Sequence, residues 1–396
     1  MYLQMISDGL GDLSAPTEKP RVNVGEEGGD IQTGPLNEPV TNWDFILKGF
    51  GLDPNVFEVD KDTVRMSKWQ QSKRLENGQR DLVWLYSYRA QIKRRLGTPL
   101  NDTEIDELRS RVSKYKPVAK SVSKSLSEPC TFVVCWADWQ LGKSAGGGTQ
   151  ATIDRVLNSF DKTLARIDEL KKIGRNIEKI AIVNMGDPVE GCDGNYASQT
   201  FTVELTQREQ LRLALDLWAQ GVRHIAPQAD KSMFISTISN HGEWTRRGGK
   251  PITSDSDSAD AFLADTLLRI LDGRPEVSTT EWLIPHDEMT VTAKLSGVNV
   301  AFTHGHKITG KEIEWLRGQS IRILREEGQE PQLWITAHKH HLDIKDYGPW
   351  TRIQCPSLDG GSKWYADIAG HWSTPGTLTM TVSSQFDLGY SDIAIL

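Results

Sequence analysis

The sequence predicts an α/β fold in which two packed sheets carry helices on their outer sides. Three observations predict it. From Cys130 onward, short apolar runs of strand character alternate with amphipathic helical patterns. After His341 the pattern turns strand-rich, with WTRIQC and TLTMTVSS and few helices. The apolar runs also end in the same way, each delivering a side chain with an oxygen or nitrogen donor.

Length and charge set the bounds. The chain has 396 residues, which favours two or three domains. It is 38% hydrophobic and 25% charged, with net charge −7, so any contact with nucleic acid must be local. The four cysteines, Cys130, Cys135, Cys192 and Cys355, form no CxxC pair. That pattern points away from zinc knuckles and disulfide frameworks and fits a reducing cytoplasm. No run approaches ~18 consecutive apolar residues, and no signal peptide is expected.

Residues 1–40 are rich in Gly, Pro, Glu, Asp and Ser and read as a flexible leader. Residues 41–100 read as a small α+β module. Asn42 can cap a helix over WDFILKGF, with Gly49 and Gly51 to end it. TVRMSKWQ and DLVWLYSYRAQI read as two strands around Asn77-Gly78, with Trp84, Tyr86 and Tyr88 on one face. Between Arg65 and Arg95 stand nine Lys or Arg (Arg65, Lys68, Lys73, Arg74, Arg80, Arg89, Lys93, Arg94, Arg95) against two acids, a local charge of +7. Cations with interleaved rings suit a strand-binding surface; the bland alternative is a solvated hairpin packed by its aromatics. Residues 101–129 read as a helix, TEIDELRSRV, and a linker.

Residues 130–396 form the fourth region. ATIDRVLNSFDKTLARIDELKK places Ile153, Val156, Leu157, Phe160, Leu164, Ile167 and Leu170 on one helical face. Further helices are expected over Val203–Val222, Ala259–Leu271 and Glu312–Glu326. KIAIVNMGD reads as a buried strand delivering Asp187, with Glu190 just beyond. TFVVCWAD ends at Asp138, followed by Gln140. SMFISTISNH ends at Asn240-His241, VNVAFTH at His304, and QLWITAHKH at His338 and His340. An acid at the tip of an apolar strand is costly unless a cation sits there.

The candidate ligands are therefore Asp138, Gln140, Asp187, Asn240, His304, His338 and His340, all oxygen or nitrogen donors. That set suits Mn²⁺ best, with Zn²⁺, Fe²⁺ or Mg²⁺ as alternatives. Seven ligands suit two divalent ions ~3.5–4 Å apart sharing Asp187, an arrangement that clamps a phosphate for in-line attack. His241, next to a ligand, is placed to donate a proton to a departing alkoxide. Gln140 either binds an ion or hydrogen-bonds a water on it. Glu190, Arg246, Arg247 and His306 are candidate substrate contacts, with a solvated loop as the alternative for the first three. Trp139 and Trp244 are expected to pack, and His224, His286 and His371 to be structural.

Asp138-Trp139-Gln140, Gly186-Asp187-Pro188-Val189-Glu190, Asn240-His241-Gly242-Glu243, His304-Gly305-His306 and His338-Lys339-His340 occur in the order of the calcineurin-like metallophosphoesterase motifs. The resemblance covers roughly residues 130–360. It implies a four-layer αββα sandwich and a dinuclear centre, with Asp138, Gln140, Asp187 and His340 on one ion and Asp187, Asn240, His304 and His338 on the other. His241 matches the family's catalytic histidine. The chain departs from the family at Gln140, where histidine is usual, at Ser239 and Ala337, where glycine is usual, and at the inserted Gly242.

Within the family, the chain resembles the SbcD-like DNA-repair exonucleases and their phage-encoded relatives. That resemblance implies a DNA exo- or endonuclease acting in recombination, repair or replication. It also implies a cytoplasmic setting, the host's if phage-encoded, and leaves room for an ATPase partner subunit. Lys68, Lys73, Arg74 and Arg94 are the expected DNA contacts. The alternatives are a small-molecule phosphomonoesterase or cyclic-nucleotide phosphodiesterase, and an inactive protein-binding scaffold.

Overall fold

The computed structural model describes residues 20–25, 28–74, 80–95, 102–116, 128–244, 246–247, 250–251, 253–361 and 373–396. The expected turn at Asn77-Gly78, most of the expected linker, the first nineteen residues and His371 lie outside them. The chain divides into two units, Met1–Thr98 and Pro99–Leu396.

The first unit holds β1 (Arg21–Val24), β2 (Gly28–Gln32), α1 (Trp43–Gly49), β3 (Phe57–Val59), β4 (Arg65–Arg74) and β5 (Arg80–Arg94). Both β3 and β4 pair with β5 in a sheet that runs on through β2 to β1. The expected helix is present, and the Asn42 side chain caps it by accepting from the Asp44 and Phe45 amides. Its Ile46 and Leu47 pack on Ile31, Val59, Ala90 and Ile92. The expectation of a flexible leader over residues 1–40 is corrected here for Arg21–Gln32. Arg21–Val24 and Gly28–Gln32 pair by their backbones, β1 with β2 and β2 with β5, and Ile31 is buried under α1. Gly29 permits the close approach, since a Cβ there would lie 1.9 Å from the Asn23 carbonyl oxygen.

The second unit opens with α2 (Asp102–Ser113), whose Ile105, Leu108 and Val112 join a helix-lined core. Then come β6 (Pro129–Trp136), α3 (Gly148–Lys172), β7 (Asn176–Asn184), α4 (Gln207–Ile225), β8 (Lys231–Ser236), the short pair β9 (Arg246–Arg247) and β10 (Lys250–Pro251), and α5 (Ala259–Leu271). The remainder is β11 (Thr280–Leu283), β12 (Val291–Leu295), β13 (Val298–Phe302), α6 (Glu312–Glu327), β14 (Leu333–Thr336), β15 (Asp343–Asp346), β16 (Thr351–Gln354), β17 (Leu378–Val382) and β18 (Tyr390–Ile395). Helix α4 starts at Gln207, four residues later than Val203, because Thr206 and Glu209 form a capping box there.

Two sheets result, in strand orders β11-β8-β7-β6-β17-β18 and β12-β13-β14-β16-β15. Side chains alternate along each strand. Phe132, Val134, Trp136, Ile180, Ile182 and Phe234 therefore face α2–α5, while Val133, Cys135, Ala181, Val183 and Ile235 face the second sheet. On that sheet Val300, Phe302, Leu333 and Ile335 meet them, and Ala301 and Trp334 face Leu316 and Ile323 of α6. The layers are thus helix, sheet, sheet, helix: the expected αββα sandwich. Each fully buried Ile or Val contributes about 1.5–3 kcal/mol by leaving water, so a charge at Ile182 would break the strand that carries Asp187. Among the described residues no helix is long and apolar enough to cross a membrane.

Candidate metal centre

The parallel strands β6, β7 and β8 of one sheet, and β13 and β14 of the other, run out at one end of the sandwich. Asp138, Asp187, Asn240, His304, His338 and His340 all follow directly on those ends. Of the non-glycine residues with positive φ among those described, five are expected ligands: Asp138 (51°), Gln140 (44°), Asp187 (53°), His338 (71°) and His340 (59°). Side chains rarely adopt this backbone, and it is kept where the surroundings force a side chain into place.

Asp187 is fully buried. Its amide donates to Ser239 Oγ at 2.8 Å, and Ser239 Oγ donates to Asp260 Oδ2 at 2.6 Å. Asn184 braces the same turn, donating to Asp260 Oδ1 at 3.2 Å and accepting from the Gly186 amide at 3.0 Å. Gly186 has no room for a side chain, since a Cβ would lie 2.6 Å from His304 Nδ1. Burial pushes the Asp260 carboxyl up to about 6, against its hydrogen bond with Ser239.

The donor set fits a cation on the Asp187 side. His304 Nδ1 lies 2.8 Å from the Met185 carbonyl, to which it donates, leaving Nε2 as an acceptor. That nitrogen stands 3.1 Å from Asn240 Oδ1 and 3.1 Å from Asp187 Oδ2, which has no hydrogen-bond partner. Two oxygens thus converge on His304 Nε2, a place that a second proton on the ring fills in the absence of a cation and that a divalent ion fills by displacing that proton. Donor atoms of Asp187, His304 and His338 all lie within 4.8 Å of one another. Burial works against charge on His304, yet Asp187 raises it to about 9. Burial, then His304, lowers His338 to about 4. Burial opposes the charge on Asp187, but His304 and His241 hold its carboxyl well below the usual range.

On the other side, Asp138 Oδ1 stands 3.2 Å from His340 Nε2 and also lacks a hydrogen bond. Gln140 has partners of a different kind from those expected. Its Oε1 accepts from Lys143 Nζ at 2.9 Å, and its amide nitrogen faces His241 Nε2 at 3.2 Å. Lys143 also donates to Asp359 Oδ2 at 2.6 Å, and Asp359 lies 3.5 Å from His340 Nδ1. Against burial, Asp138 and Asp359 hold His340 well above its ordinary range, while His340 and Lys143 hold buried Asp359 well below its own.

His241 is held beside Asp187 and Glu190. Its backbone amide donates to Asp187 Oδ1 at 2.9 Å, and its Nδ1 donates to the Glu190 carbonyl at 2.6 Å. The Glu190 carboxylate, buried and pushed up by burial, lies 3.4 Å from the same nitrogen and accepts from the Tyr196 hydroxyl. Glu190 thus supports His241 from inside. Both nitrogens of His306 lack partners, and burial, then His304, lowers it to about 2. Trp139 is buried against Trp136 and Phe160 and packs, as expected. Arg246 and Arg247 form β9, but their side chains lie outside the described residues.

Within the first unit, the basic window is divided by the sheet. Arg65 and Arg89 are cross-strand partners on one face, lining a cavity of about 380 Å³ with Arg21, Asp30 and Asp62. Lys68 pairs with Tyr86 on the other face, its ammonium 4.2 Å from the Trp84 ring centre. Arg94 alternates onto the Tyr86 side of β5, while the side chains of Lys73 and Arg74 lie outside the described residues.

Sequence reasoning missed Lys143, Tyr196, Asp260 and Asp359. Asp359 carried the usable signal, because it follows β16 as the ligands follow their strands.

No family model and no curated protein matches the chain. Solved structures do. It is similar to an archaeal phosphodiesterase at 11% identity, covering 67% of this chain and 99% of that one, with a TM-score of 0.29. A single mutant of Vps29 from Entamoeba histolytica shares 13% identity over 67% of this chain and 99% of that one, with a TM-score of 0.28. A predicted phosphoesterase from Streptococcus pneumoniae shares 9% over 65% and 84%, with a TM-score of 0.24. The fold described here rests on the sheet order and the four layers.

Proposed function

We propose that the chain is a metal-dependent phosphoester hydrolase and that its substrate is DNA. The observation that carries the hydrolase reading is the convergence of Asp187 Oδ2 and Asn240 Oδ1 on His304 Nε2, each at 3.1 Å, at a strand-end site. A divalent ion bound there supplies Lewis-acid polarisation of a phosphoryl oxygen. The protein's own groups supply the rest. Asp187 links the ion side to the His241 loop through its bond to the His241 amide. Glu190 fixes the His241 tautomer by accepting at Nδ1, so Nε2 is the atom that handles a proton. To donate from Nε2 to a leaving alkoxide, the ring takes up a second proton and the Gln140 amide gives way. His306, with both nitrogens unpartnered beside His304, is available to a substrate oxygen.

DNA as substrate is supported by the first unit, where Lys68, Trp84 and Tyr86 place a cation beside two rings on one sheet face. The chemistry of that face suits a phosphate backbone with unstacked bases. Purified protein with Mn²⁺ should degrade single- or double-stranded DNA, and Asp187→Ala should abolish the activity. Hydrolysis of a nitrophenyl phosphodiester with DNA left intact would instead support a small-molecule phosphodiesterase.

A further inference from the structure

We infer that the two halves of the centre are unequal: one divalent ion is held by Asp187, Asn240, His304 and His338, while the Lys143 ammonium supplies the positive charge of the Asp138 half in place of a second ion. The inference rests on the metal-centre reading above and goes beyond it, since seven ligands by themselves suit two ions.

An amide can offer a metal only its carbonyl oxygen, and Gln140 Oε1 accepts from Lys143 Nζ at 2.9 Å. Its other end faces His241 Nε2 at 3.2 Å, where an N–H is the complement of an imidazole acceptor. Turning the amide over to free the oxygen would set its nitrogen against the ammonium, donor against donor.

Lys143 is fixed in place. Its backbone closes the Gln140–Lys143 turn, with the Lys143 amide donating to the Gln140 carbonyl at 3.2 Å, and pairs with Val203. Its ammonium lies 2.6 Å from Asp359 Oδ2, and its side chain is only 15% exposed. Asp359 is held in turn by Ser357 Oγ at 2.8 Å and the Gly361 amide at 2.9 Å, both on Oδ1. Arg155 ties the same loop by donating to the Leu358 carbonyl at 2.7 Å. The ammonium therefore cannot swing away without breaking a buried ion pair.

His340 completes the picture. Its two ring nitrogens face two carboxylates, Asp138 at 3.2 Å and Asp359 at 3.5 Å. Three buried carboxylates, Asp138, Glu190 and Asp359, surround the ammonium region. A lysine there neutralises part of their charge permanently, and a divalent ion added beside it would meet a like charge. Among the described residues, the cluster of His, Cys, Asp and Glu atoms close enough to hold an ion is Asp187, His304 and His338; Asp138 and His340 find no third member.

The test is metal stoichiometry. The full-length apo-protein is dialysed against micromolar Mn²⁺ or Zn²⁺, and bound metal is measured by inductively coupled plasma mass spectrometry. One ion per chain is expected, and with Mn²⁺ the electron paramagnetic resonance spectrum should be that of an isolated ion rather than an exchange-coupled pair. Two ions per chain, or a coupled spectrum, overturns the inference. No bound ion removes the metal-centre reading itself. The double variant Gln140→His/Lys143→Met, confirmed folded by circular dichroism, should bind two ions, and Lys143→Arg should still bind one. If the folded double variant also stops at one ion, Lys143 is not what excludes the second, and the inference fails.

Discussion

The backbone amide of His241 donates to Asp187 Oδ1 at 2.9 Å, tying the proposed proton carrier to a fully buried acid of the centre. One carboxylate thus serves two ends, with Oδ2 facing the ion ligands and Oδ1 fixing the loop after β8. Asp187→Asn should lose bound metal and lower phosphodiester hydrolysis by at least about 10²–10³-fold, the usual cost of removing one charge-stabilising group. His241→Ala should differ in kind. Its metal content should stay at the wild-type level, while kcat falls by about 10²–10⁴-fold, the usual contribution of a positioned acid or base. Metal loss in His241→Ala would show that the ring is a ligand rather than a proton carrier.

Ser239 is fully buried, and the structure gives its hydroxyl two partners. It accepts from the Asp187 amide at 2.8 Å and donates to Asp260 at 2.6 Å. Ser239→Ala should strand the buried Asp187 amide, while Asp260 keeps the Ser239 amide at 3.0 Å and Asn184 at 3.2 Å as donors. Loss of one such partner costs about 1–3 kcal/mol. Urea unfolding should place the variant in that range below wild type, and Asp260→Asn, which keeps an acceptor, should cost less. A Ser239→Ala chain as stable as wild type would mean that the Asn184–Asp260 contacts alone hold the turn.

What the sequence revealed follows from which physics is local. The buried strands were legible because Ile180, Ile182 and Val183 stand in an unbroken apolar run, and α5 was legible because Ser258 caps a clear amphipathic stripe. The candidate ligand acids and histidines stood out because each ends such a run. The strands Arg21–Val24 and Gly28–Gln32 were not legible, because they pair with a distant strand and only the lone Ile31 anchors them in the core. Lys143 was not, because its meaning lies in Asp359, more than two hundred residues away in sequence. The division of the basic window into two faces was implicit in the alternation of β5 and needed only the register with β4 to be explicit.

His224 makes acid sensitivity predictable. It is 1% exposed, stacked 3.9 Å from the Tyr115 ring, and burial lowers it from 6.5 to about 4. The unfolded chain therefore takes up this proton at higher pH than the folded one. The stability it contributes is fully present above about pH 6.5, falls as pH drops, and is gone below about pH 4. The shift corresponds to roughly 3 kcal/mol. His224→Gln, which cannot titrate, should flatten the dependence of the urea midpoint on pH across that window. Parallel curves for wild type and variant would assign the acid sensitivity to other groups.

The last prediction concerns which face of the first unit meets nucleic acid. On one face Arg65 and Arg89 share their surroundings with Asp30 and Asp62, which offset part of their charge. On the other, Lys68 lies 4.2 Å from the Trp84 ring centre and 5.5 Å from that of Tyr86, and Trp84 remains 46% exposed. A ring that is open to solvent and backed by a cation can stack a base while the cation meets the neighbouring phosphate. Changing Lys68, Arg74 and Arg94 together to Ala should weaken binding of single-stranded DNA and flatten its salt dependence, Lys73 being left out because it alternates onto the Arg65 side of β4. Each lost phosphate contact lowers the slope of log K against log salt by about 0.7, so three lost contacts lower it by about 2. Trp84→Ala should weaken binding by about 1–3 kcal/mol with the slope nearly unchanged, because stacking releases no counterions. If Arg21, Arg65 and Arg89 changed to Ala flatten the slope instead, the opposite face is the one that binds. If neither set changes it, the basic window is a solvated surface and the substrate is held elsewhere.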